Sequence, residues 1–255
     1  LIALVFVPWP VAFLTIPNLG DVFAACPTWA LVSAVVFGVG WGIGGIFWGL
    51  GVSTIGLALA ISIMMGLTSA IGSAGPLLIW EPEAFGTSSG LVLVVGLMIM
   101  IVGVAICANA GSLKSRELAG GPGEGAEPDA ASSRAPFITG LIFCILGGTL
   151  SSFVNFGFAV SGKPIIEAAK EAGASEANAP NAVWTLVFTA NYLVNFLYGL
   201  YLMIKNKTGH KLFQPGMGKN WCWAFYLGIL WPLGVVLYGI GAAKLGAFGA
   251  YAGFP

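Results

Sequence analysis

Long apolar stretches, broken by short polar ones, set the pattern of this chain. They predict helices over Leu1 to about Ile16, about Trp29 to Leu50, Thr54–Ile79, Ser89 to about Ala110, Phe137–Val160, Asn181–Ile204, and Trp221 to about Lys244. All but the first have the roughly 20 residues needed to cross a hydrocarbon core of about 30 Å. The first run is shorter and holds Pro8 and Pro10. Proline there removes a backbone bond and kinks the helix, which a membrane tolerates where neighbours cover the freed carbonyl. Between the runs, Asn18–Thr28 reads as a turn-rich loop with one charge, Asp21, and Glu81-Pro82-Glu83 closes the third helix. Lys163–Ala172 has charges every three or four residues beside Ile165, Ile166 and Ala168, the pattern of a short interfacial helix. Gly111–Pro136 is the one long polar stretch, rich in Gly, Pro and Ser, and is predicted to be a flexible linker.

Composition agrees with a membrane solvent. Of 255 residues, 58% are hydrophobic and 8% charged, against about a quarter charged in a soluble domain. The 38 glycines suit helices that approach one another closely. Net charge is zero, so no basic face points to nucleic acid. Cys26, Cys107, Cys144 and Cys222 form no CxxC pair and read as small apolar residues. The chain opens on Leu1 without a signal-peptide pattern and stops at Pro255, so both ends are expected to be cuts in a longer protein.

Charge placement sets the orientation, because lysine and arginine favour the cytoplasm. Lys114, Arg116, Arg134, Lys205, Lys207, Lys211 and Lys219 lie in loops on one side; Lys163, Lys170 and Lys244 lie on the other. The linker and the loop from Lys205 to Asn220 are therefore expected inside the cell. An internal repeat then becomes informative. WGIGGIFWGLGVSTIG, from Trp41 to Gly56, returns as WPLGVVLYGIGAAKLG, from Trp231 to Gly246. Trp41, Gly44, Gly49, Gly51 and Gly56 recur at a constant offset of 190 residues, and Trp48 is answered by Tyr238. The copies are five helices apart, so they cross the bilayer in opposite senses. Inverted repeats of this kind belong to secondary transporters, with the site near mid-membrane where the halves meet. The expected fold is all-α and polytopic: an N-terminal half over 1–110, a cytoplasmic linker over 111–136 and a C-terminal half over 137–255. With one helix missing before Leu1 and two after Pro255, about seven of ten transmembrane helices would be present.

Polar groups inside apolar helices are the candidate chemistry, since burying them is costly unless they serve something. Asn155 follows Ser151 and Ser152 by one turn; Asn191 and Asn195 are four apart on one face; Thr68, Ser69 and Ser73 mark the third helix. An asparagine amide both donates and accepts, which suits a ligand with many hydroxyls; it also suits hydrogen bonding between helices. Trp48 and Tyr238 could stack on an apolar sugar face. Trp41 and Trp231 read more simply as interface anchors. Lys163 and Glu167, four residues apart, form either a solvated pair or a charged gate at the outer mouth. Lys244 snorkels or lines a pathway.

Other motifs dissolve in context. Gly40-Trp41-Gly42-Ile43-Gly44-Gly45 satisfies GxGxxG, but no strand precedes it and no acid follows about 20 residues on. Asn206-Lys207-Thr208 is a glycosylation triplet on the cytoplasmic side, and His210, the only histidine, lies in the same loop. No nucleophile, metal-ligand set or acid–base pair is assembled, so an enzyme is not expected.

WGIGGIFWGLGVSTIGLALAISIMMGL (Trp41–Leu67), AGSLKSREL (Ala110–Leu118) and GKPIIEAA (Gly162–Ala169) resemble the L-rhamnose–proton symporter family of the drug/metabolite transporter superfamily. With matching helix spacing the likeness covers nearly the whole chain, as helices two to eight of ten. It implies uptake of a deoxy-sugar across the bacterial inner membrane with protons as the coupling ion and no cofactor. No Asp, Glu or His lies deep in any helix, so a coupling group is expected at an edge, as at Glu81 or Glu167, or in the missing part. The implied partners are L-rhamnose or a similar sugar and the lipid bilayer; a homodimer stays open. The repeats would rock around a site lined by Asn155, Asn191, Asn195, Trp48 and Tyr238, with Lys163, Glu167 and Lys244 in gating or coupling. Alternatives are an exporter of a metabolite or drug on the same scaffold, and a sugar-binding sensor that moves nothing.

Overall fold

Helix follows helix along the whole described chain. The computed structural model describes residues 7–80, 82–119, 130–230, 234 and 237; side chains at 107–108, 111–112, 114–119 and 130–136 lie outside that description. The helices are α1 (Pro8–Thr15), α2 (Leu19–Ala25), α3 (Thr28–Ile55), α4 (Leu57–Trp80), α5 (Ser88–Ala119), α6 (Ala130–Ser151), α7 (Phe153–Glu171) and α8 (Asn181–Lys205). Short 3-10 turns cover Pro82–Gly86 and Gly209–Phe213, and 218–230 are helical again. Five segments are long and apolar enough to span a membrane: Thr28–Ile55, Leu57–Trp80, Ser88–Ile106, Phe137–Glu171 and Asn181–Lys205. Their outer faces carry exposed Val, Leu, Ile, Met and Phe, as lipid contact requires. The protein is an all-α, multi-pass membrane protein.

Several predicted boundaries move, each for a local reason. Asn18–Thr28 is not a loop throughout. Leu19, Val22 and Cys26, spaced at helical intervals, are all buried, and α2 forms after Asn18 takes a left-handed φ of 50°. The polar stretch over 111–136 is helical at both ends: Leu113, Lys114, Arg116, Glu117 and Leu118 favour helix at the first, and Ala130, Ala131, Arg134 and Ala135 at the second. Its glycines and prolines concentrate in 120–128, outside the described residues. The segment predicted as one helix over Phe137–Val160 breaks at Ser152. There the Ser152 hydroxyl donates to the Thr149 carbonyl at 2.6 Å, a side-chain bond that competes with the helical ladder. Past the break, Lys163–Ala172 is not a separate interfacial helix; it continues α7 through Pro164. Trp231, Tyr238, Lys244 and most of the second repeat copy lie outside the described residues.

The chain forms two compact units, one within Leu1–Ile43 and Phe153–Phe254 and one within Gly44–Ser152. In the first, Ala30, Ala34, Gly38 and Gly42 make a stripe of small residues at four-residue spacing on α3, all of them buried. A Cβ on Gly38 would lie 2.5 Å from the Val187 carbonyl oxygen and 2.8 Å from the Ala190 Cβ. One on Gly42 would lie 2.8 Å from the Val194 Cβ. The stripe thus lets the α3 and α8 backbones touch, the way membrane helices associate when lipid is as apolar as leucine. Trp9 on α1 donates from Nε1 to Thr189 Oγ1 of α8 at 2.8 Å.

In the second unit, α6 packs on α4 through Gly147 and Gly148. Thr68 Oγ1 donates to the Gly148 carbonyl at 3.0 Å. Ala60, Met64 and Cys144 form the core, with Trp48, Val52, Ile55 and Ile63 against it. Gly56, at φ +84°, reverses the chain between α3 and α4, a conformation that L side chains resist.

Candidate functional site

The first unit holds most of the buried polar side chains, and their partners sort them. Ser161 donates to the Gly157 carbonyl at 2.5 Å, and Thr185 to the Ala182 carbonyl at 2.7 Å. Both hydroxyls are satisfied inside their own helices. Asn181 on α8 reaches Thr15 Oγ1 of α1 at 3.5 Å. Asn195 is half-buried, and its Nδ2 is shared among three acceptors. It donates to the Gly42 carbonyl of α3 at 3.2 Å, the Asn191 carbonyl at 3.1 Å and Asn191 Oδ1 at 3.2 Å. That pair is a latch between α8 and the glycine stripe, possible only because Gly42 brings the α3 backbone within reach.

Asn155 is different. It sits on α7, fully buried, and neither its Oδ1 nor its Nδ2 has a protein hydrogen-bond partner. Burying an amide without a partner costs roughly 1–3 kcal/mol by mutational measures, so such a group is an exception that calls for a cause. The side-chain amide of Asn155, in the first turn of α7, offers one acceptor and two donors.

One turn past Asn155 begins an aromatic series that sequence reasoning missed. Phe158 stacks on Trp184 with ring centroids 4.8 Å apart and 19° between planes. Trp184 stacks on Phe188 at 5.3 Å, and Phe188 meets Trp41 at 5.4 Å. The four-residue spacing of Trp184 and Phe188 was the available signal; their meeting with Phe158 and Trp41 depends on how three helices pack.

The remaining expected residues separate. Trp48 lies in the second unit, half-buried against the Ala60–Met64–Cys144 core. Lys163 and Glu167 are both exposed and do not pair; the ion pair formed among the described residues joins Lys170 to Glu176 at 3.0 Å. Tyr238 and Lys244 lie outside the described residues. Every described Asp, Glu and His side chain is exposed. Among the described residues no three His, Cys, Asp or Glu side chains come together as metal ligands.

Comparison with known proteins fits an apolar helical unit with polar groups inside it. The family described as L-rhamnose-proton symport protein (RhaT) matches residues 1–254. This chain belongs to that family. Among curated proteins it is similar to the L-rhamnose-proton symporter of Yersinia pestis (strain Pestoides F), 26% identical over 252 residues, covering 96% of this chain and 70% of that protein. The L-rhamnose-proton symporter of Cronobacter sakazakii (strain ATCC BAA-894) is 27% identical over 247 residues, covering 94% of this chain and 68% of its own length. No solved structure matches. Family membership makes the chain a membrane transporter of the symporter class, not an enzyme.

Proposed function

We propose that this protein carries L-rhamnose or a closely related sugar into the cell together with protons, by alternating access across a bacterial inner membrane. The observation that carries the proposal is the family match from residue 1 to 254, joined by bacterial relatives of that name aligned over nearly the whole chain. An exporter or a sensor has no such support.

Asn155 is the proposed sugar contact, and Lys163, Glu167 and Lys244 are the proposed gating or coupling residues. The exposed carboxylate of Glu167 is the described acid nearest Asn155 along α7, a little over three turns beyond it. No cofactor beyond the proton is invoked. Amides rather than carboxylates suit a neutral polyol, since they pair with hydroxyls without carrying an uncompensated charge into the bilayer.

Uptake of labelled L-rhamnose into proteoliposomes under an imposed gradient, acid outside, tests the proposal. Accumulation that a protonophore abolishes is expected. Equal uptake with and without the gradient would remove the coupling, and no uptake by folded protein would remove the sugar.

A further inference from the structure

We infer that Asn155 is the residue that reads the sugar, by gripping two neighbouring hydroxyls of a vicinal diol, and that the Asn191–Asn195 pair is structural. This rests on the proposed sugar transport and narrows it to one side chain and one chemical pattern. Three observations lead there. Asn155 is fully buried with both ends of its amide unpartnered in the protein. The other described amides and hydroxyls buried in the same unit have protein partners: Ser161 and Thr185 within their own helices, Asn181 on Thr15, and Asn191 on Asn195. The adjoining turn of α7 carries Phe158, stacked on Trp184, an apolar surface beside a polar point. Polar groups few in number against apolar and aromatic walls are what small-molecule sites are made of.

The geometry of the amide sets the ligand class. Oδ1 can accept from one hydroxyl while Nδ2 donates to its neighbour, so adjacent hydroxyls satisfy both ends at once and an isolated hydroxyl satisfies one. Asn155 is inaccessible in this conformation, so the sugar reaches it only when the carrier opens. The Asn195 amide cannot take this part without giving up the Gly42 carbonyl.

The test uses the full chain carrying N155L, N155S or no substitution. Two readouts are taken: uptake of labelled L-rhamnose and the shift in melting temperature on adding sugar. Competitors are L-rhamnose and analogues each lacking one ring hydroxyl. The wild type is expected to reject at least one analogue by about tenfold or more, because a polar group built to meet a hydroxyl is left unpaired without it. N155L is expected to raise KM by about tenfold or more and to bind that analogue and the parent sugar alike. It is also expected to melt no lower than the wild type, since leucine removes an unsatisfied buried amide at similar volume. N155S, smaller and still polar, is expected to keep a reduced discrimination. Wild-type KM and analogue ranking in N155L would overturn the assignment. So would a lowered melting temperature in N155L with unchanged ranking in N155S, which marks a structural amide. Absence of a melting shift with any sugar also overturns it. A sugar-induced shift that is lost in N155L, in a protein that takes up no rhamnose, would instead uphold the assignment and refute transport.

Discussion

Single residues here act through how closely two backbones may approach. Gly38 and Gly199 are both helical glycines, yet their surroundings differ. A Cβ on Gly38 would meet a carbonyl oxygen at 2.5 Å, whereas nothing lies within 4 Å of one on Gly199. Backbone cannot yield as a side-chain tip can, so G38A is expected to destabilise by about 1–3 kcal/mol. G199A should be neutral or gain up to about 1 kcal/mol from helix propensity. Chemical unfolding of the purified protein in detergent measures both. N195A removes the latch to Gly42 and is expected to cost about 0.6 kcal/mol, the average for hydrogen bonds between membrane helices, and no more than about 1.7 kcal/mol. The sequence marked Asn155, Asn191 and Asn195 alike, because each is an amide in an apolar run. It could not separate them: whether an amide is satisfied depends on which carbonyl the neighbouring helix presents, and that follows from the glycine register of α3 on α8.

At the level of elements, apolar run length located the spanning helices well, with the turn expected over 51–53 found instead at Gly56. Two things escaped it. One is the break at Ser152, where an apolar stretch continues uninterrupted while a serine hydroxyl bonds the carbonyl three residues back. The other is the helical content flanking 120–129, where polar composition suggested a linker but Leu, Lys, Arg and Glu propagate a helix. The α4–α6 contact gives a direct check on how helices are joined. Thr68 is buried and donates to Gly148; T68V keeps its shape and leaves that carbonyl with one partner fewer. A loss of about 1 kcal/mol is expected, read as a lower melting temperature. An unchanged value would mean the bond contributes nothing net.

For the whole molecule, lysine placement assigns sides. The turn 206–217 carries Lys207 and Lys211 and is expected in the cytoplasm, with the turn at 172–180 expected outside, since α8 joins them. In a cysteine-free background, a membrane-impermeant maleimide applied to intact cells should label S175C and not Q214C, and the reverse in inside-out vesicles. What the family match and the buried amides bear on together is coupled sugar movement. Proton flux tests that most directly. Adding L-rhamnose to proteoliposomes holding no pH gradient should make the outer medium more alkaline, as protons enter with the sugar, and the change should be absent without protein. Rhamnose entry at an unchanged outer pH would contradict the account.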